Sequence, residues 1–509
     1  MIRWGVTAQS HDAAIAVFSD DGLEFAAHSE RYSRIKNDPD LHPDLIQEAL
    51  EYGFPKHIHW YERPLLKKTR QLWAKQYRTA LTKKLPSDYM LQCLGLEEID
   101  HHIVGENGPT YPFRMHYTTH HRSHAAAGYY TSPYEDATVL VVDSIGEWET
   151  MSIWEGSGDQ LKKRYSQCYP HSVGIWYSAM TQRLGLKPQE HEYILMGMAA
   201  IGDPHRLYDQ MVTDLIEKFP NKDDPSVRFK LNLHRGCRGW RPDLNTPQDY
   251  ADIAAATQRI YEEIFTGMLH HCATHYSSKN LVLMGGCVLN CVANSLAPAR
   301  YSNVWIMPNP GDAGNAIGTV LAHLGKHMPF THAFTGHNIQ GDYPTDEILQ
   351  ELEKNKITAV ASGQAEFGPR ALGNRSILAD PRGHDVKDRV NRIKQRESFR
   401  PFAPMILEEH ARHYFDMPVE RSPFMQYVAT CKFPDLFPAI VHYDNTSRVQ
   451  TVGLEVGPVR DLLEQWYRRT GCPMLLNTSL NVKGEPLVNT REDALRWTAE
   501  YGVKVCLPG

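Results

Sequence analysis

The sequence predicts an α/β protein. Three short apolar runs, Val139–Val142, Leu281–Met284 and Val304–Met307, read as buried strands, and each stops at a polar or glycine-rich turn. Helical stretches such as Ile253–Tyr276 lie between them. Strands alternating with helices imply layered sheets whose ligands gather at the carboxyl ends of the strands. Composition agrees: of 509 residues, 42% are hydrophobic and 22% charged, the balance of a globular chain.

Taken in order, Val6–Phe18 is small and apolar and turns at Asp20-Asp21-Gly22. It reads as a hairpin, with Ser10, His11 and Asp12 in its first strand or at that strand's end. Residues Phe330–Thr345 are rich in Gly, Thr, His and Pro and read as a linker, with a second α/β unit from about Asp346. Two units are therefore expected, 1–340 and 341–509, and no internal repeat is apparent. No apolar run reaches the ~18–20 residues of a membrane span, and the first residues lack a secretory pattern. Nine cysteines without a C-x-x-C pair predict a reducing, cytoplasmic setting and argue against a disulfide framework or a cysteine-held zinc.

His120 and His124 are four apart in a helical segment, so they share one face, with His121 about 100° round. Asp143 and Asp312, each just past a buried strand, could add oxygens. Such a mixed N/O set suits Fe, Mn or Zn without choosing among them. Plainer readings exist: 26 histidines make an H-x-x-x-H coincidence easy, and Asp143 could cap the segment after it. Gly285-Gly286 followed by Asn290 is a phosphate-loop pattern that also suits an ordinary turn.

Three segments of the second unit carry unusual polar density. Gly368–Arg375 sets Arg370 and Arg375 among glycine turns, Lys394–Phe402 holds three cations within seven residues, and Asn477–Asn481 is a polar loop after an apolar strand. Guanidinium forks and ammonium charges are what phosphate oxygens need. Cations beside Gly and Pro point inward and favour an anion site over a solvated face.

Together these residues resemble a family of carbamoyltransferases, the nodulation and antibiotic-tailoring O-carbamoyltransferases, almost end to end. The matching stretches are Ser10–Ala14, Glu30–Lys36, His120–Ala125, Met196–Ala199, Gly285–Asn290, Pro310–Ala316, Phe367–Gly373, Phe399–Pro404 and Asn477–Asn481. The resemblance implies an N-terminal actin-like domain similar to the tRNA threonylcarbamoyl transferases, then a YrdC-like domain. It implies that the second domain joins carbamoyl phosphate and ATP, with Mg2+, into carbamoyl adenylate, and that the first moves the carbamoyl group to an acceptor hydroxyl. On that pattern His120, His124, Asp143 and Asp312 hold a metal, iron being the expected ion. Gly285, Gly286, Asn290 and Asn315 lie at the nucleotide. Arg370, Lys394, Arg400, Arg448, Ser479 and Asn481 hold carbamoyl phosphate and the ATP phosphates. His11 and Asp12 are the candidates for the base that a hydroxyl nucleophile needs. One departure stands out: where relatives commonly carry a lysine two residues before the Met-Gly pair, this chain has Ile194.

The acceptor has one hint. Lys56–Lys84 holds nine Lys or Arg and one acid, Glu62, a local charge of +8 in a chain of net −6. Trp60, Tyr61, Trp73 and Tyr77 interleave with those cations, and Arg228–Arg241 adds Lys230, Arg235, Arg238 and Trp240. Cations mixed with aromatics suit phosphate backbones and extruded bases. A hydroxymethyl pyrimidine in DNA is thus the leading acceptor, with a sugar or antibiotic hydroxyl as the alternative. An actin-like ATPase or kinase would not need the Arg370–Asn481 cluster, and a non-catalytic nucleic-acid binding protein would need neither metal nor ATP. Monomer and homodimer both remain open.

Overall fold

The computed structural model describes residues 1–96, 104–105, 108–109, 112–397 and 399–509. The chain opens with an antiparallel meander, β1 (Arg3–Thr7), β2 (Ala14–Phe18) and β3 (Leu23–His28). Then β4 (His57–Trp60) and β5 (Arg114–Tyr117) join parallel to β1, giving the order β3-β2-β1-β4-β5. The basic helix α1 (Pro64–Trp73) lies in the crossover between β4 and β5.

After α2 (His120–Thr131) the same plan recurs. The strands β6 (Asp136–Val142), β7 (Glu149–Ser157) and β8 (Gln160–Cys168) form a second meander. β9 (Asn280–Met284) and β10 (Asn303–Ile306) then join parallel to β6, in the order β8-β7-β6-β9-β10. This duplication was not visible as a sequence repeat, because corresponding strands share burial and not residues. The three expected strands are all here. The expected helix is α4 (Pro247–His275), entered through a Thr246–Asp249 capping box; α3 (Glu192–Met198) precedes it and α5 (Asn315–Leu324) follows β10.

Helices α2 and α5 pack against each other and against the sheets, and small residues set their spacing. A Cβ on Gly318 of α5 would fall 2.0 Å from the Ser123 carbonyl oxygen of α2, and one on Gly5 of β1 would fall 1.7 Å from the Ala316 carbonyl oxygen. Ala125, Ala126 and Ala127 are fully buried beside Ile317 and Val320. The low bulk lets the backbones approach and brings the ends of α2 and α5 together.

In the C-terminal part, β11 (Phe334–Ile339) pairs with β13 (Gly363–Glu366), so the expected linker contains a strand. The main sheet holds β12 (Ile357–Ala361), β14 (Arg375–Ala379), β15 (Ala403–Leu407), β17 (Gln450–Val452), β18 (Met474–Ser479) and β19 (Val505–Cys506), in the order β17-β15-β18-β14-β12-β19. A short strand, β16 (Thr446–Arg448), leads into β17. The helix α6 (Pro458–Thr470) covers one face through Leu462, Leu463 and Trp466. Two further expectations shift: Ser10, His11 and Asp12 lie in the turn between β1 and β2, and Asn477–Ser479 belong to β18 rather than to a loop.

Charged side chains bind the first part of the chain to the last. The Arg31 guanidinium donates to the Gly368 carbonyl at 2.8 Å, and Arg34 donates to the carbonyls of Pro486 and Leu487. No helix among the described residues is long and apolar enough to cross a membrane.

Gly318→Val should push α2 from α5 at their closest approach. Overpacking of this kind typically costs ~1–3 kcal/mol. Urea denaturation should show a lower midpoint, and an unchanged midpoint would mean that the helices are not held at this distance.

Candidate metal centre and anion site

The loop after β6, the start of α2 and the loop after β10 converge. His120 Nε2 lies 3.2 Å from Asp143 Oδ2 and 3.4 Å from Asp312 Oδ1; His124 Nε2 lies 3.4 Å from Asp312 Oδ1. The two Nε2 atoms are 3.1 Å apart. All four side chains are buried, and one donor atom from each lies within 4.8 Å of the others. The four residues chosen from spacing are therefore brought together, while His121 turns away to bond the Ser152 hydroxyl at 2.8 Å.

A cation fits here. The Nε2 atoms of His120 and His124 and the carboxylates of Asp143 and Asp312 converge in a buried space, a mixed nitrogen and oxygen donor set. Burial opposes charge on His120, but Asp312 and Asp143 outweigh it and hold the imidazole well above its usual range. Burial likewise opposes ionisation of Asp312, yet His120 and then His11 hold it well below the carboxylate range. A bound divalent ion would replace protons in this balance and relieve carboxylate–carboxylate repulsion.

The framework around the centre is specific. Gly286 N–H donates to Asp143 Oδ1 at 3.1 Å. Gly285 sits at φ +100°, and a Cβ there would lie 2.1 Å from the Val142 carbonyl oxygen, so only glycine allows the loop to pass this close to β6. Glu147, which spacing did not single out, accepts from the backbone N–H of Arg63 and of His120, and so anchors the first turn of α2. Its only sequence signal is an acid shortly after Asp143.

His11 stands at the rim, with Nε2 3.5 Å from Asp312 Oδ2 and Nδ1 3.1 Å from Asp12 Oδ2. Burial opposes its charge, but Asp312 and Asp12 raise it to about 9. Asp12 adopts φ +55°, which turns its carboxylate back onto the imidazole. Of the expected nucleotide residues, Asn315 is fully buried with both amide atoms unpartnered, so it has capacity for a ligand. Asn290 is instead committed to packing: its amide pairs twice with Gln258 and caps the helical turn at Cys291–Asn294.

In the C-terminal part the expected cations form one cluster. Arg396 stacks on Phe402 at 4.1 Å, and Arg400 on Tyr193 of α3 at 4.7 Å. Burial, then neighbouring guanidiniums, pulls Arg370 down to about 9 and Arg396 well below the usual range. Arg448 is also lowered, and its Nε has no partner. Glu397 is the acid facing this group, 3.5 Å from Arg400, and Lys483 also claims it. The sequence named Arg396 only as part of a run, and it missed Tyr193, whose ring Lys36 also approaches at 5.8 Å. Ser398 of that run lies outside the described residues.

Lys394 has a different place from the expected one. Its ammonium donates to the Ser479 and Asn481 carbonyls and to both of their side-chain oxygens, at up to 3.1 Å. It therefore holds the Ser479–Asn481 turn in shape and has no hydrogen left for a ligand. Ile194 is buried in α3, next to Tyr193.

The basic segment is only partly a surface. Trp60 and Tyr61 are 1% exposed and belong to the core, so neither can stack on a base; Arg70 is buried against Glu147 and Gln76, and Lys67 pairs with Glu62. Trp73 and Tyr77 are exposed, at 60% and 56%. Trp240 of the second stretch spends its indole N–H on Asp214.

Comparison with known proteins completes the picture. The chain is 33% identical to an uncharacterised protein of Synechocystis over 97% of its own length and 93% of that protein's. It is 31% identical to the nodulation protein NolNO of Sinorhizobium fredii, covering 95% of this chain and 76% of the relative. It is 29% identical to the 3'-hydroxymethylcephem-O-carbamoyltransferase of Amycolatopsis lactamdurans, over 77% and 79%. Among solved structures, component A of (R)-2-hydroxyglutaryl-CoA dehydratase from Acidaminococcus fermentans covers 64% of this chain and is itself covered over 99%, at 11% identity and a TM-score of 0.34, too remote to bear on it. Residues 2–321 match the carbamoyltransferase N-terminus and residues 349–507 the carbamoyltransferase C-terminus, and the chain belongs to that family of enzymes.

Proposed function

We propose that this carbamoyltransferase is an ATP-dependent O-carbamoyltransferase with two units, an actin-like 1–340 and a YrdC-like 341–509. The observation that carries the reading is the cluster of Arg370, Arg396, Arg400 and Arg448, opposed among the described residues by Glu397 alone. Mutual repulsion of half-buried cations is tolerated where an anion is to be received. Carbamoyl phosphate and ATP are both anions, and only clustered cations offset their repulsion. For the atoms to balance, phosphate leaves carbamoyl phosphate with the addition of water. The carbamate oxygen then takes the α-phosphorus of ATP, and pyrophosphate departs. Arg370, Arg400 and Arg448 bind the phosphates, while Lys394 keeps Ser479 and Asn481 in place. Lys36, Arg400 and Tyr193 supply charge and stacking beside the position where Ile194 replaces the relatives' lysine.

In the second half-reaction the acceptor oxygen attacks the carbamoyl carbon, AMP leaves, and the hydroxyl proton passes to the His11–Asp12 pair, whose imidazole would shed its own proton once a divalent ion takes the Asp312 carboxylate that holds its charge. His120, His124, Asp143 and Asp312 would hold the divalent ion, iron first, which when bound supplies charge neutralisation at the departing phosphate. Asn315, with its unpartnered amide, and the Gly285-Gly286 turn receive the nucleotide. The acceptor is a primary hydroxyl on a methylene carbon, a hydroxymethyl pyrimidine in DNA being the first candidate, with Trp73 and Tyr77 as its exposed aromatic surface. A small hydroxymethyl compound is the second reading, favoured by the similarity to an enzyme named for a hydroxymethylcephem.

Three outcomes test this. Arg400→Ala should abolish pyrophosphate release from ATP plus carbamoyl phosphate while leaving metal content unchanged; unaltered release removes the arginine from the phosphate site. Asp312→Ala should lose the ion from the His120–Asp143 centre, read by elemental analysis, and stop transfer while pyrophosphate release continues. Loss of both activities would instead show that one centre serves both steps. Mass spectrometry of hydroxymethylated DNA and of free hydroxymethyl nucleoside should show a carbamoyl gain on the DNA that falls with salt. A gain only on a sugar or antibiotic alcohol overturns the DNA reading.

A further inference from the structure

A second group of imidazoles lies apart from the centre described above. In the parallel register of β4 and β5, His59 stands opposite His116, and His323 near the end of α5 approaches both. One ring nitrogen of each lies within 4.8 Å of the other two. His59 is fully buried, and neither its Nδ1 nor its Nε2 has a hydrogen-bond partner. A buried polar ring with both nitrogens idle calls for an explanation, and a ligand that uses one of them provides it. His57 supplies a further feature: its Nδ1 lies 2.8 Å from His116 Nε2. That contact fixes the His116 tautomer through one nitrogen and frees the other, as outer partners do for metal-binding imidazoles.

We propose that His59, His116 and His323 form a second cation site, binding a late first-row divalent ion, zinc foremost, with a fourth position open to solvent. Three imidazoles and no carboxylate select zinc, nickel or copper over calcium, magnesium or manganese. The fourth position opens toward a cavity of about 230 Å³ lined by His116, His323, Thr118, Arg63 and Arg122. Arg3 and Arg114 on the same sheet add positive charge, as do Arg63 and Arg122 at the cavity, so the fourth ligand is an anion such as hydroxide or a small carboxylate. The His59 and His116 rings are stacked, 4.6 Å apart at 13°. Binding turns them toward a common point about χ2, a broad torsion in histidine. The site is separate from the first: His323 is eight residues on from Asn315, at the start of α5, so it lies roughly 12 Å along the helix axis from the end near Asp312.

The test uses full-length Asp312→Ala protein, in which the first centre has lost a carboxylate. Dialysis against zinc chloride followed by elemental analysis should leave one zinc per chain, and cobalt chloride should produce the intense visible bands of a four-coordinate ion. Adding His323→Ala, at an exposed position, should weaken zinc by on the order of 100-fold and remove those bands. His57→Phe should weaken zinc by about 10-fold and keep them. Near-UV circular dichroism checks folding, and His323→Gln replaces the alanine variant if that one unfolds. Folded Asp312→Ala protein that retains no zinc, or zinc affinity unchanged by His323→Ala and His323→Gln, overturns the proposal.

Discussion

The close crossing of α2 and α5 between two sheets is the constraint on which the N-terminal part depends. Glycine at 318 and at 5, and alanines at 125–127, remove the bulk that would hold the backbones apart. Once the helices touch, His120 and His124 project from one and Asp312 stands at the entrance to the other. Asp143 arrives on the carboxyl end of β6, the place where sheet proteins of this kind collect ligands. Burial of four polar side chains is costly unless they satisfy one another or an ion, so the apolar packing beneath them must hold the group together.

The candidate anion site follows a different rule. There the arginines are brought in beside aromatic rings and backbone carbonyls, with Glu397 as the facing acid among the described residues, which leaves most of their charge uncompensated. The folding energy of the six-stranded sheet and of α6 holds that repulsion. A site prepared in this way would need little rearrangement to receive a polyanion. Tyr193, from the N-terminal part, lies under Arg400, so the site draws on both matched family regions.

Much of this was legible in the sequence because the signals were local. An i, i+4 histidine pair, aspartates just past apolar strands and arginines among glycines each report their own geometry. What was not legible depends on distant partners. Trp60 and Arg70 look like surface groups in a basic run, yet neighbours far along the chain bury them. Lys394 reads as a free cation until the Ser479–Asn481 turn folds onto it, and Asn290 as a loop amide until Gln258 pairs with it. The duplicated sheets escaped notice because a shared strand order needs only a shared pattern of burial. The strand at Phe334–Ile339 was hidden by the same Gly, Thr and His content that suggested a linker.

The duplicated plan also orders events in time. His120 and His124 are made early, Asp143 soon after, and Asp312 only after β10, the last strand of the second sheet. A chain emerging from synthesis therefore carries an incomplete coordination sphere through most of the N-terminal half. Loose partial sites bind ions weakly, because affinity arises when folding fixes all ligands at once. On the proposed metal reading the last aspartate would act as a latch on assembly, since the ligand set is complete only once both sheets and the crossing helices have closed.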